Sequence, residues 1–544
     1  CPRRARGEHG WAAPLAVLCP VLTCVLLTAD DEDFYERGRP LPRSEYPALV
    51  DLLRGCLWQL LWVDGPAGRG AAAGAAHGRS GAARAVQNLL AQLNSRNSRR
   101  QFVDPASFSA EELLRLEGGS AGDRFVAECL EEDTRAGELL RGGPSLVPFA
   151  LRVRAFQQLV RRDKEAEGRN SRAEALGLGG RQVQVRRDHV FADGMEGLYG
   201  APVSALKGHV RIRFVDRFGE EEAGVDGGGL FKDFLNALTK EAFDPGYGLF
   251  KETPDHLLYP NPASSLAHDQ HLALFEFMGV ILGKAMYEGI LVELPFAFFF
   301  LSKLRGRRNG LNDLFSLDAE LYRSLLFLKR YEGDVEDLCL FFTVTDSEFG
   351  GSREVELVPG GAGVPVTQQN KLQYIDKVAN YRLNLQIRQQ AAAFLRGFQQ
   401  LVRPEWISMF NEQELLVLIA GSREGVDLDD LRRNVVYSGG YGPEDRTIAL
   451  LWEALAGFDA EQQRQFLKFV TACSNAPLLG FAALEPRFCI HRSGQADDGS
   501  TDLERLPTAA TCMNLLKLPP YADLATMRDK VGYAIAAGAG FDLS

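Results

Sequence analysis

The sequence predicts an α+β protein in which a helical N-terminal region precedes a denser mixed part that is itself divided by a hinge. Three observations carry this. Apolar residues recur at helical spacing in YPALVDLLRGCLWQLLW (46–62) and in LVPFALRVRAFQQLV (146–160). Further on, HVRIRFVDRFG (209–219) alternates as a strand does, and a Gly-rich turn then opens an amphipathic helix in EEAGVDGGGLFKDFLNALTKEAF (221–243). Finally, IAGSREGVDLDDL (419–431) is small, polar and charged between two apolar helices, as an interdomain hinge would be.

Taken in order, WAAPLAVLCPVLTCVLL (11–27) follows RRARG and has the outline of a signal-peptide n-region and h-region. It is short for a spanning helix, contains Pro14 and Pro20, and lacks an A-x-A cleavage pattern, so it reads as a buried helix of a helical domain. Residues 64–85 are an Ala/Gly-rich loop, and NSRNSRRQF (94–102) is a solvated basic face. These features define a helical region over 1–165 and a linker over 166–181, after which QVQVRRDHV begins the mixed part. The three glycines of GVDGGGL precede a helix, yet neither a Walker-type nor a dinucleotide-binding pattern is present, so they signify tight backbone packing. FEFMGVILGKAMYEGILVELPFAFFFLSKL (275–304) is interrupted by Glu276, Lys284, Glu288, Glu293 and Pro295 and is therefore a core helix followed by a second piece. The last helix, in YADLATMRDKVGYAIAAG (521–538), sets Leu524, Met527, Val531 and Ile535 on one face, with Gly538 suited to its C-cap.

With 544 residues, 46% apolar and 24% charged, the chain can bury a large core. Its net charge of −11 argues against nucleic acid as the main partner, because phosphate binding needs clustered positive charge. The chain starts at Cys1 without an initiator methionine and reads as part of something longer. Nine cysteines show no repeated spacing; Cys19 and Cys24 lack a second pair or histidines to complete a zinc site, so no metal and no cofactor is expected. No Asn lies in an N-x-[ST] sequon, and a reducing cytoplasm, with the nucleus as a second location, is the expected setting.

One thiol stands apart. In LPTAATCMNLLKLPPY (506–521), Cys512 follows a turn and precedes an apolar run ending in Pro519-Pro520, with no histidine within twenty residues. ERLPTAATCMNLLKLPPY and the terminal GFDLS resemble the end of the HECT family of ubiquitin-protein ligases. The likeness continues upstream through QVQVRRDHVF, EAGVDGGGLFKDF, LLYPNP, MGVILGKAMYEGILVELPF, YEGDVEDL, NVVYSGGYG and LLGF, over about residues 182–544. CMNLLKLP, GFDLS and EDFYERGRPLP are most similar to the branch called ubiquitin ligase 3C-like.

The resemblance implies a bilobal HECT fold after the helical region: a large, mostly helical N-lobe over 182–420, a hinge at 421–425 around Gly421 and Gly425, and a small α/β C-lobe over 426–544. It implies that Cys512 accepts ubiquitin as a thioester from a conjugating enzyme and passes it to lysines of protein substrates or of ubiquitin. Thioester exchange replaces thiolate by thiolate, so it needs no dedicated imidazole; Ala510 stands where many relatives have histidine. Lysine attack does need a proton acceptor, for which Asp542 or the carboxylate of Ser544 is the candidate. Phe541 matches a phenylalanine the family uses in lysine transfer, Thr511 and Asn514 are placed to orient the thioester carbonyl, and His491 is a weaker candidate base. The conjugating-enzyme groove is expected in a subdomain over about 296–375, formed by Leu321, Leu325, Tyr331, Leu338, Cys339, Leu340 and Tyr374, with Asp337 as a rim charge. No membrane partner is expected. One departure, Asn475-Ala476 where relatives often have Arg-Pro, leaves an inactive or truncated scaffold that still binds conjugating enzymes as the alternative reading.

Overall fold

A computed structural model describes residues 11–64, 73–116, 119–131, 134–166, 181–216, 220, 229–346, 351–422, 425–484, 486–493 and 505–537. Its first part is helical, from Ala12–Thr28 through Tyr46–Trp58 and Ala73–Arg99 to Phe149–Ala166. The Ala73–Arg99 helix corrects two expectations: alanine favours helix, so it takes in residues 73–85 of the expected Ala/Gly-rich loop, and Ser95, Arg96 and Asn97 of the expected solvated face are buried. The Ala12–Thr28 helix departs from the expected buried helix. Ala12, Leu15, Cys19 and Leu26 are buried, but Val17, Leu18, Val21 and Leu27 are exposed. The Ala73–Arg99 helix packs against it, and the opposite flank is left uncovered. No helix among the described residues is long and apolar enough to cross a membrane.

The mixed part opens as its alternation predicts. Arg181–Arg186 pairs in parallel with Val210–Val215, and the helices Val190–Leu198 and Gly229–Ala242 pack on this pair. The Gly-rich turn before Gly229 lies outside the described residues. The apolar run 275–304 becomes the helix His271–Glu288, buried along nearly its whole length, an extended piece through Phe296, and the helix Phe298–Leu304. Close packing demands glycine here: a Cβ on Gly279 would sit 2.0 Å from the carbonyl oxygen of Phe394, and one on Gly397 1.8 Å from that of Glu276. The His271–Glu288 and Arg388–Phe398 helices therefore meet backbone to backbone. The single buried cation of the run, Lys284, is satisfied by the carbonyl of Gly208 at 2.8 Å and by Glu288.

One continuous apolar core runs from Leu15 to Ile419, so the N-terminal helices and the large lobe share an interior. A separate core spans Leu431 to Ile535. The small lobe is built on a four-stranded sheet in the order Val436–Ser438, Cys489–Arg492, Leu515–Leu518, Thr508–Ala510. The first three strands are parallel and the last is antiparallel to its neighbour. The helices Arg446–Ala456, Ala460–Thr471 and Leu524–Ala537 complete this lobe, with Met527, Val531 and Ile535 buried and Leu524 partly buried, as their spacing predicts. The chain crosses between the two cores at Gly421–Val426, where the sequence predicts a hinge.

Candidate active site

Cys512 lies at the tip of a β-hairpin. Thr508–Ala510 and Leu515–Leu518 pair antiparallel with Ala510 opposite Leu515, which leaves residues 511–514 as a four-residue connection. Thr511–Met513 forms a single 3-10 turn, and Asn514 closes it at φ 47°, ψ 42°. Asparagine tolerates that left-handed geometry because its amide can bond locally. The Asn514 side chain donates to the carbonyl of Pro486 at 2.6 Å, and the Asn514 backbone carbonyl accepts from the Cys489 amide at 3.0 Å. The turn is thereby anchored to the neighbouring strand. Met513 projects outward and Thr511 is buried. The backbone of Cys512 belongs to this turn, and its side chain lies outside the described structure.

The large lobe reaches the turn through the helix Gly229–Ala242. Lys232 Nζ lies 3.1 Å from Asn514 Oδ1 and 3.5 Å from the Thr511 carbonyl. Thr511 Oγ1 donates to Asp233 Oδ1 at 3.2 Å. Burial pushes the Asp233 carboxyl above its ordinary range, against the pull of Thr511, Arg187 and Lys232. Thr511 and Asn514 thus hold the turn against the large lobe by their side chains, and the carboxylate and ammonium they meet come from adjacent positions of one helix. Sequence reasoning did not single out Lys232 and Asp233; they lie within the quoted EAGVDGGGLFKDF motif, where the Gly-rich turn drew attention away from the helix it opens.

A second set of contacts holds the lobes together near the hinge. Glu293 pairs with Lys468 at 2.9 Å and accepts from the Ser474 amide. Burial works against its charge, but these two donors outweigh that and hold its carboxyl below the usual range. Asn475 donates to the carbonyl of Ala420 at 2.7 Å, and the Ser422 amide to that of Ala476 at 3.3 Å. The pair that departs from the Arg-Pro of relatives is therefore itself an interlobe contact. Gly421 has φ +85°, and a Cβ there would meet the Asn475 Cβ at 2.8 Å; a Cβ on Gly425 would meet nothing. A cleft of about 520 Å³ separates the lobes, lined among others by Lys232, Tyr287, Cys473, Asn475 and Asn514.

His491 is bonded through Nδ1 to Ser438 Oγ at 3.0 Å, within the sheet. It faces Lys517 in the strand register, away from the hairpin tip. Phe541, Asp542 and Ser544 lie outside the described residues. Among the other thiols, burial pushes Cys473 and Cys19 up to about 11 and Cys129 to about 12, so none of these is a ready nucleophile.

The groove residues converge as a surface on the helix Ala319–Arg330 and the segments after it. Leu321, Tyr331, Leu338, Leu340 and Tyr374 are half-buried, while Asp337 and Cys339 are exposed. Leu325 is the exception: at 5% exposure it belongs to the interior, because the expected Leu321–Leu325 face turns inward one turn along the helix. It supports the groove from beneath. Phe327, Phe341 and Leu372, which the sequence reading omitted, are exposed, and the Phe327 ring lies 5.6 Å from that of Tyr331. Phe342 packs edge-on against Tyr374 under this surface.

The described residues thus form a large and a small lobe, with the cysteine-bearing turn at a hairpin tip of the small one. The family model described as HECT-domain (ubiquitin-transferase) matches residues 236–544. The chain is 47% identical over 547 residues to the E3 ubiquitin-protein ligase UPL6 of Arabidopsis thaliana, covering 98% of this chain and 52% of that protein. It is 39% identical over 566 residues to a probable E3 ubiquitin protein ligase of Schizosaccharomyces pombe, covering 99% and 53%. It is 36% identical over 558 residues to the ubiquitin-protein ligase E3B of Homo sapiens, covering 98% and 51%. The chain belongs to the HECT-domain family, and it spans about half the length of these relatives.

Proposed function

We propose that the chain is a ubiquitin-protein ligase that carries ubiquitin as a thioester on Cys512. In the first step the Cys512 thiolate attacks the C-terminal carbonyl of ubiquitin held on a conjugating enzyme. A new S–C bond forms, the old one breaks, and the conjugating enzyme leaves as thiolate. An unperturbed thiol with pKa about 8.5 is ionised to a few per cent at neutral pH, enough for a step between thioesters of similar energy. In the second step a lysine amine of a protein substrate, or of ubiquitin, attacks the new thioester; its proton passes to a carboxylate, and the Cys512 thiolate leaves.

Asp233 suits the second step, because a carboxyl raised by burial attracts an ammonium and accepts its proton more readily than a solvated one. Asp542 and Phe541 remain proposed as tail contributions, and Thr511 and Asn514 as the residues that fix the turn. The conjugating enzyme is proposed to dock on the apolar surface around Leu321, Tyr331, Leu338, Leu340 and Tyr374, with Asp337 at its rim. Thiols that are free, such as Cys339 and Cys489, suit a cytoplasmic setting.

The observation that supports this reading is the place of Cys512 in the hairpin-tip turn, whose Thr511 and Asn514 bond Asp233 and Lys232 of the large lobe. It is tested by incubating the chain with activating enzyme, a panel of conjugating enzymes, ATP and ubiquitin, followed by a non-reducing gel. A thiol-sensitive adduct that Cys512→Ala abolishes is expected. Binding of charged conjugating enzyme without any adduct would instead identify a scaffold.

A further inference from the structure

The donor thioester arrives on the conjugating enzyme, so the orientation of the subdomain that holds it sets the distance to Cys512. The Ala319–Arg330 helix of that subdomain ends in Lys329 and Arg330, at the position where basic residues usually serve only their own helix terminus. Here both reach into the N-terminal region. Asp30, 2% exposed, accepts from Lys329 Nζ and from Arg330 at 2.8 Å each, while the same carboxylate caps its own short helix through the Asp33 amide. Arg330 also pairs with Glu32, and Asp33 lies 3.5 Å from Lys329. The backbone amide of Asp31 donates to Asn312 at 3.1 Å and to the Tyr322 hydroxyl at 3.3 Å, both within the subdomain.

The other side of this segment is anchored. The Asp31 carboxylate meets Arg96 at 2.9 Å and Arg99 at 3.0 Å. Arg96, nearly fully buried, also donates to the carbonyls of Leu26 and Ala29. These arginines end the Ala73–Arg99 helix, whose apolar residues belong to the core that continues through the large lobe. Residues 30–33 therefore form a charged bridge with one end on the Ala73–Arg99 helix and the other on the subdomain. Solvated ion pairs would contribute little here, but shielded ones with several donors per carboxylate fix geometry, because each lost partner leaves a buried charge uncompensated.

We propose that the Asp30–Asp33 segment is a positioning strut that fixes the orientation of the conjugating-enzyme subdomain and thereby the reach of a docked donor thioester to Cys512. This rests on the groove reading given under Proposed function. Lys329→Ala/Arg330→Ala removes the strut's contacts without touching the groove residues, and Lys329→Arg/Arg330→Lys preserves its charge.

Three quantities are measured on the full chain: binding of uncharged conjugating enzyme by calorimetry, single-turnover transfer from saturating charged conjugating enzyme to Cys512, and loading of Cys512 from a small-molecule ubiquitin thioester that bypasses the conjugating enzyme. The double alanine is expected to keep its binding and its bypass loading, and to lose about 10-fold or more in transfer, since misplacement by an ångström is enough for such a loss. The charge-preserving pair is expected to restore most of it. Unchanged transfer in the double alanine, or an equal fall in bypass loading, overturns the strut. A Leu338→Asp control separates the two readings: if it binds conjugating enzyme normally, the groove reading fails and the strut loses its premise with it.

Discussion

The ammonium of Lys232 lies 3.1 Å from the amide oxygen of Asn514 and joins two stretches of chain 282 residues apart across the lobe boundary. With the Thr511–Asp233 bond it holds the Cys512 turn in a dock on the large lobe. These bonds draw the two lobes together at the Cys512 turn.

Replacing Lys232 by methionine keeps the helical stem and removes the charged donor. Loss of a charged hydrogen bond corresponds to about 1.5–3 kcal/mol, so discharge of the Cys512 thioester onto lysine is expected to slow by about 10-fold or more. Loading of Cys512 is expected to change less. Single-turnover measurements of the two steps separate these outcomes, and equal slowing of both would remove the dock from the second step.

Asn514 combines a left-handed backbone with buried bonds to two lobes. Asn514→Ala is expected to cost about 3 kcal/mol in small-lobe stability, because it adds backbone strain to the loss of those bonds. Asn514→Gly keeps the backbone free and loses only the bonds, so its thermal midpoint is expected to lie above that of the alanine variant. The reverse order would mean that the left-handed turn is not under strain.

The Glu293 contact is pH-dependent, and its sign follows from a carboxyl held below the usual range in the docked state. Such a group contributes stability above its ordinary pKa and loses it as pH falls through the lowered docked value. Fluorescent labels on the two lobes are expected to separate as the solution is acidified through that range. Glu293→Gln, which cannot ionise, is expected to be more open at neutral pH and to flatten the response.

The two hinge glycines differ. Gly421→Ala forces a Cβ into the left-handed region and against Asn475, at a cost of about 1–3 kcal/mol. Gly425→Ala meets no neighbour and is expected to stay within about 0.5 kcal/mol of the parent. Denaturant titration checks both values. In addition, slower ubiquitin transfer in Gly425→Ala without loss of stability would show directly that linker freedom serves the reaction.

The elements that local pattern dictates were legible in the sequence. The alternation of 210–215, the buried run from His271, the division between two cores near Gly421 and the face of the last helix all follow from periodicity and breakers acting over a few residues. The family was legible because the motif around Cys512 is so distinctive. What escaped were contacts between distant stretches: Lys232 with Asn514, and Asp30 with Arg330, 300 residues on. No periodicity records such pairs, since taken locally Lys232, Asp30 and Arg330 are ordinary charges at helix ends and Asn514 an ordinary turn residue. The partial exposure of the Ala12–Thr28 helix and the inward turn of Leu325 escaped for a related reason. Apolar spacing shows which residues share a face, and the tertiary packing decides which faces are covered.

The family-model match begins at residue 236, inside the Gly229–Ala242 helix. A piece of the chain beginning there would start in mid-helix, stripped of Lys232 and Asp233, and without the parallel strand pair that the helix covers. It would also lack the N-terminal helices that share the large lobe's interior, so Trp406 and Phe410 would lose the packing of Phe149 and Phe156. Assays on such a shortened piece would report on a protein with an open flank and half a clasp, and their rates should not be read as those of the 544-residue chain.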